Sequence, residues 1–320
     1  MGEKYSERKM ETSAINVTRV TEFFLLGFQG SQFLRNVLFL LFLVVYNATI
    51  CGNLLIITLV STSKILHTPM YFFISHLAIS DILVTTITAP NMLHILLNNG
   101  GTITLIGCIT QFCFFCSSET FECLLAVMSY DRYVAICNPL RYSSIMTSDI
   151  CIKYAAMSWL LGIFISLIVS ITPSKLNFCG PNIIDHVFCD LVPLLDLACS
   201  DAFIVHLEIY VMGIPIVIIP TSIIVVSYTY IISTILRIPS STGRQKAFST
   251  CSSHLIVVIM FYWTMFCVYV LPTKGRSLSM SKTLSLLYTV FTPLINPIIY
   301  TFRNKDIKKA IQDIYYKHRI

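Results

Sequence analysis

The sequence predicts an all-α membrane protein: a seven-transmembrane helix bundle with its N-terminus outside and a short amphipathic helix after the seventh span. Three observations carry that prediction. First, 55% of the 320 residues are hydrophobic and 12% are charged, about half the roughly 25% charged fraction of a soluble domain. Second, seven apolar segments of spanning length recur, roughly at 33–60, 71–97, 105–129, 152–172, 203–236, 248–271 and 283–302, where about 20 residues suffice to cross the hydrocarbon. Third, basic residues favour alternate connections. Lys64, Arg141, Arg237, Arg244, Lys246, Arg303, Lys305, Lys308 and Lys309 share one side, which assigns that side to the cytosol.

Taken in order, residues 1–32 form an extracellular N-terminal tail, 33–302 the seven-span domain and 303–320 a cytoplasmic tail. The tail to Glu22 is charged throughout and lacks an apolar core, so no cleavable signal peptide is expected. Met1-Gly2-Glu3-Lys4-Tyr5-Ser6 matches an N-myristoylation pattern but falls on the wrong side of the membrane for the acyltransferase. Asn16-Val17-Thr18 is a glycosylation sequon on the expected outer side. Asn47-Ala48-Thr49 also matches, but inside the first span, where it is silent. The outer connection 98–104 is uncharged, and 173–202 carries Asp185, Asp190, Asp196 and Asp201 against Lys175. The third outer connection departs from the charge bias, with Lys274, Arg276 and Lys282. No internal repeat supports a transporter. The net charge of +6 is no nucleic-acid signal, because its distribution matters more than its sum.

Ionisable groups inside spans cost about 2.5–3.5 kcal/mol on insertion scales, so they should face the bundle. Asp81 lies in the second span, Asn53 follows Gly52 in the first, Glu119 and Glu122 share a face of the third, and Asn296-Pro297 interrupts the seventh. Carboxylates sharing one core point to a bound cation or shared protons. Isolated asparagines read equally well as polar glue between helices.

Of the 12 cysteines, Cys108, Cys179, Cys189 and Cys199 fall on the oxidising outer side. Two disulfides are plausible there, in any of three connectivities. Cys113-Phe-Phe-Cys116 has redox-like spacing but reads more simply as apolar packing. His186-Val-Phe-Cys189-Asp190 offers metal-ligand chemistry, against which stands the disulfide role of Cys189. Glu119, Glu122, Asp81 and His76 name no nucleophile, and no hydrolase or nucleotide motif is present, so no enzyme is expected.

Met128-Ser-Tyr-Asp-Arg-Tyr-Val-Ala-Ile-Cys-Asn-Pro-Leu-Arg-Tyr142 closes the third span. Alone it reads as a solvated loop with positive-inside anchors. With seven spans around it, Asp131-Arg132-Tyr133 reads as a pair that can be held against itself or released, a two-state element.

These motifs, in order, resemble the rhodopsin-like (class A) G-protein-coupled receptors, and specifically the olfactory (odorant) receptors. The likeness runs from Phe24-Leu-Leu-Gly-Phe28 through Gly52-Asn53, Pro69-Met-Tyr-Phe-Phe-Ile-Ser-His-Leu-Ala-Ile-Ser-Asp81 and Met128–Cys137. It continues in Ser227-Tyr228, Lys246-Ala-Phe-Ser-Thr-Cys-Ser-Ser-His254, Pro293-Leu-Ile-Asn-Pro-Ile-Ile-Tyr300 and Arg303-Asn-Lys-Asp306. The resemblance implies disulfides Cys108–Cys189 and Cys179–Cys199, a sodium ion held by Asp81 and Glu122, and no other cofactor. It implies Asp131, Arg132, Tyr133, Tyr228, Asn296, Pro297 and Tyr300 as the activation and coupling residues for a stimulatory, cAMP-raising heterotrimeric G protein. A small, mostly apolar odorant would sit in the outer half of the bundle. Its walls would be Phe115, Cys116, Ser118 and Glu119 of the third span, Met212 and Ile216 of the fifth, Tyr262 and Tyr269 of the sixth, and Leu286 and Thr289 of the seventh. Glu119 is the unusual member: ionised, it favours an amine-bearing ligand; protonated, it donates to a neutral one. Cys108 to Arg132 is one residue shorter than the family pattern, which leaves the third-span register open by one position. The 305–314 stretch, with Ile307, Ile311 and Ile314 on one face, reads as an interfacial helix on membrane lipid. The chain is accordingly expected as a multi-pass plasma-membrane protein. The alternatives are a rhodopsin-like receptor for a non-odorant endogenous ligand and, from another class, a transporter or channel, which predicts ligand-dependent flux.

Overall fold

The computed structural model describes residues 20–118, 121–178, 182–265, 282–283 and 285–317. Of the expected residues, Asn16, Glu119, Cys179 and Tyr269 lie outside these, as do the side chains of Ser118 and Glu122. Helix α1 is Gln32–Thr62, α2 Pro69–Asn98, and α3 is described as Leu105–Ser118 and Phe121–Cys137. Helix α4 is Ser148–Ile171, α5 Phe203–Leu236, and α6 is described over Ser241–Met265. The seventh, α7, begins as a π-helical stretch Leu287–Phe291 and continues as Thr292–Arg303, after which α8 spans Lys305–Lys317.

Local chemistry sets these ends. Ser31 and Thr147 cap α1 and α4 by accepting from the Leu34 and Ile150 amides. Pro69 starts α2 at a position whose amide would be unpaired anyway. Helix α3 runs past its expected end at 129 to Cys137, so Asp131, Arg132 and Tyr133 are helical rather than in a connection. It stops where Pro139 disfavours helical geometry at Asn138. Helix α6 likewise begins earlier than expected, at Ser241, just beyond Pro239.

The helices present apolar surface that water would not tolerate. Val44, Leu160, Phe164, Ile219 and Trp263 are all more than half exposed, and only 11% of the most apolar window of α5 is buried. Four described helices are long and apolar enough to span, and Leu105–Ser117, Cys251–Trp263 and Thr289–Phe302 are shorter apolar helices. Lipid covers that surface. Inside, Gly52 lets α1 approach α7: a Cβ there would lie 3.2 Å from the Pro297 ring.

One element was not legible as a tail. Residues Glu22–Leu25 form β1, the middle strand of a three-stranded outer sheet. It pairs antiparallel with β2 (Gly101–Thr104) and parallel with β3 (Ile183–Ile184). Phe23 and Leu25, fully buried, point from β1 into an apolar cluster with Ile95, Phe112 and Phe178. The segment before the first span is thus part of a cap over the bundle.

Candidate functional site

At the inner end of α3, Arg132 is 8% exposed and Asp131 fully buried. The guanidinium grips the adjacent carboxylate through two donors, Nε at 2.9 Å and a shorter second contact. The Tyr142 hydroxyl donates to the other carboxylate oxygen at 2.8 Å. Burial, then the Asp131 charge, pushes the Tyr142 phenol up, which keeps its proton in place for that bond. On the facing helices, the Tyr228 hydroxyl and His254 Nδ1 are 2.7 Å apart. Tyr300 is 1% exposed, and its hydroxyl has no hydrogen-bond partner among the described residues. Arg132, Tyr142, Lys246, Tyr300 and Lys305 line a cavity of about 490 Å³ on the inner side. Tyr133 packs outside this set, its ring 5.8 Å from Tyr230.

Hydrogen bonds from Tyr71 tie α2 to the start of α8. The Tyr71 hydroxyl is shared between Asn304 Oδ1 at 2.8 Å and Asp306 Oδ2 at 2.9 Å, and Asn304 caps α8 by accepting from the Asp306 amide. Ile307 and Ala310 are buried while Lys308, Lys309 and Asp313 are exposed, the division an interfacial helix needs.

In the middle of the bundle, Pro297 has no amide to give the Pro293 carbonyl, four residues back. Asn53 supplies the missing donor: its Nδ2 reaches Pro293 O at 3.1 Å and Thr49 O at 3.0 Å. Asn296 turns the other way and donates to both oxygens of Asp81, at 3.2 and 3.0 Å. Asp81 is 3% exposed. Among the described residues it has no ion-pair partner, and no group of three or more His, Cys, Asp or Glu could hold a metal.

The outer loop is pinned to α3. Cys108 and Cys189 form a disulfide, and Gln111 accepts from the Cys189 amide at 3.0 Å while donating to Ile87 O at 3.1 Å. Cys199 is also disulfide-bonded. Lys282, 5% exposed, donates to Gly27 O at 2.8 Å and pairs with Asp185. Its charge is neutralised within the cap, which is why it can depart from the positive-inside bias. Gly27 itself has φ +65°, and a Cβ would collide with Ile95. Its amide donates to His186 O at 3.1 Å, so the N-terminal segment, the outer loop and Lys282 are joined at one residue. The ligand chemistry offered by His186, Cys189 and Asp190 is spent elsewhere: on Phe188, on the disulfide and on the Leu191 amide.

His186 is 3% exposed. Burial, with Lys282 adding to it, lowers its pKa, while Asp190, Asp185 and the Phe188 carbonyl oppose that shift. A histidine depressed in the folded state contributes stability that is complete above its unfolded value of about 6.5 and is lost as pH falls below it. Acidifying the purified protein from neutral pH therefore lowers its melting temperature. In His186→Gln that slope flattens; an unchanged slope in a fluorescence melt would remove His186 from the account.

The expected ligand walls are only partly brought together. Phe115 is buried, with its ring 5.6 Å from Phe188 of the outer loop, and Leu286 packs in the same cluster as Phe188. Cys116 faces a different cluster, with Val205 and Ile209 of α5. Met212 and Ile216 are half-buried. Thr289 is buried and turned back onto Ser285 O at 2.9 Å. Tyr262 packs against the inner core rather than the outer one. Sequence reasoning missed the partnering of Tyr142, Tyr71, Gln111 and Lys282. Tyr71, Gln111 and Lys282 act across distant sequence and Tyr142 across a turn of the chain, and only Lys282 left a signal, as the misplaced cation.

Comparison with known proteins agrees with this arrangement. A family model described as olfactory receptor matches residues 42–318. Olfactory receptor 11H4 of Homo sapiens is 46% identical over 98% of this chain and 96% of its own. Olfactory receptor 5P55 of Mus musculus is 46% identical over 95% and 97%, and olfactory receptor 11L1 of Homo sapiens 44% over 93% of each. Since the match runs from within α1 through α8 and takes in the buried Asp131-Arg132 pair and the disulfide-pinned loop, the chain belongs to the olfactory receptor family.

Proposed function

We propose that this plasma-membrane receptor binds a small, mostly apolar odorant in the outer half of its bundle and activates a stimulatory, cAMP-raising heterotrimeric G protein. The observation that carries the reading is the Asp131–Arg132–Tyr142 clasp beside an inner cavity. An odorant that binds the open arrangement better than the closed one shifts the population towards it. Arg132 then leaves Asp131 for the G protein. Tyr228 and Tyr300 move beside it, Tyr300 with a hydroxyl free to take a new partner. The division into outer tail 1–32, bundle 33–302 and inner tail 303–320 belongs to this proposal, as do glycosylation at Asn16 and the seat of α8 on the inner leaflet. A cAMP assay in cells carrying a stimulatory olfactory G protein, across a diverse odorant panel, tests the reading. A dose-dependent rise supports it, and silence at confirmed surface expression counts against it.

The resting state is proposed to hold sodium. Asp81 is a buried carboxylate whose side-chain hydrogen bonds, among the described residues, come from a neutral amide, and oxygen donors of this kind suit a hard cation. Asp81 would hold the ion together with Glu122, and its positive charge would offset the buried carboxylate. Exchanging sodium for choline in the medium raises basal cAMP in the wild type and leaves Asp81→Asn unmoved; equal responses would discard the site.

A further inference from the structure

Glu208, on the outer turn of α5, is used neither by the switch nor by the cap. Its Oε1 accepts from the Thr172 hydroxyl at the end of α4, at 2.7 Å. Its Oε2 is buried and, among the described residues, has no hydrogen-bond partner. A carboxylate oxygen taken out of water without a donor is costly, and among the described residues no lysine, arginine or histidine forms an ion pair with Glu208.

The side chain does not belong to the lipid face. That face is Ile204, Leu207, Val211 and Ile218, which are 49–61% exposed. Glu208 borders that face, one turn after Ile204, and is half-buried, with the side of α5 that carries buried Val205 next to it. Val205 and Ile209 pack in one cluster with Cys108 and Phe112 of α3, so this side meets the bundle. Two further observations mark the same corner. Ser170, on the last turn of α4 beside Thr172, is 4% exposed, and its hydroxyl is also unpartnered. Directly after Glu208, α5 widens into the π-helical stretch Ile209–Gly213, a distortion frequent at functional sites.

We propose that Glu208 is the polar anchor of the odorant chamber and receives the protonated amine of an amine-bearing odorant on its open oxygen. Thr172 holds the carboxylate by its other oxygen. An ammonium brings both the charge and the donor that Oε2 lacks, whereas an ester or ketone brings only acceptors and meets lone pairs. The site therefore selects among odorants of equal size and apolarity by their head group. This inference rests on the odorant reading and names its ligand class.

The test uses primary amines, each with its alcohol and methyl-ester isostere, in the cAMP assay at matched surface expression. In the wild type the amines act at lower concentration than their esters. Glu208→Gln raises the amine half-maximal concentration about tenfold or more, as expected for loss of a charged hydrogen bond, while ester responses stay. Glu119→Gln leaves the amines near wild type. Unchanged amine potency in Glu208→Gln, or an amine loss confined to Glu119→Gln, overturns the assignment. Should Glu208→Gln fail to reach the surface, the wild-type comparison and the charge-retaining Glu208→Asp decide: esters acting at lower concentration than amines overturn it. Response to neutral odorants but to no amine overturns this inference alone. Silence to the whole panel overturns the odorant reading with it.

Discussion

Arg132→Ala, compared at equal surface expression, loses most odorant-evoked cAMP, a fall of more than about tenfold. Truncating a hydrogen-bonded charge at an interface costs about 2–5 kcal/mol, and every 1.4 kcal/mol is tenfold in affinity. Arg132 is the basic side chain paired with Asp131 at the inner cavity, and the clasp that holds it also keeps it from a partner. The same substitution leaves Asp131 fully buried with only the Tyr142 hydroxyl for company. Breaking a buried pair in this way costs about 3–5 kcal/mol, so less receptor reaches the surface and the comparison must be normalised. Asp131→Asn separates the two roles. It weakens the clasp without removing the arginine, so basal cAMP rises while coupling survives. Full odorant response in Arg132→Ala would show that the G protein is met elsewhere.

Cys108→Ser removes surface expression almost entirely. The bond it breaks closes a sequence separation of 81 residues, for which restriction of the unfolded chain contributes about 4 kcal/mol. More than loop entropy is at stake. With the bond gone, Cys189 loses its covalent hold on α3, and the Gln111 contact to its amide is left to hold this part of the loop against that helix. Phe188, which meets Phe115 and shares a cluster with Leu286, follows from that placement. Cys189→Ser is equally damaging, and the double variant is no worse than either single, because one interaction is lost in all three. Surface labelling of the three variants checks this; additive losses would mean that the cysteines act separately.

Neither effect depends on the detailed ligand. They follow from one buried ion pair and one covalent link, whereas the Glu208 and Asp81 predictions depend on what the bundle holds.

The sequence by itself determined the spans, the topology and the polar residues that must face inward. Long apolar runs have only one favourable solvent, and backbone groups within them can be satisfied only by helix. It also raised Asp131-Arg132 as a candidate two-state element, a reading that needed the seven spans around it, because alone the stretch reads as a solvated loop. The tertiary structure decided who partners whom. Asn53 serves the carbonyl that Pro297 orphans, and Tyr142 comes back to Asp131. Lys282 is neutralised by Asp185 and donates to the carbonyl of Gly27, 255 residues away. The strand at Glu22–Leu25 was illegible because its partners, β2 and β3, lie in distant loops. Glu208 was invisible for a related reason: a single acid at a helix end reads as solvated surface. Only packing buries one of its oxygens and leaves it without a donor. Periodicity and composition report which solvent a residue prefers, but hydrogen-bond partners are set by which faces the folded bundle brings within about 3 Å.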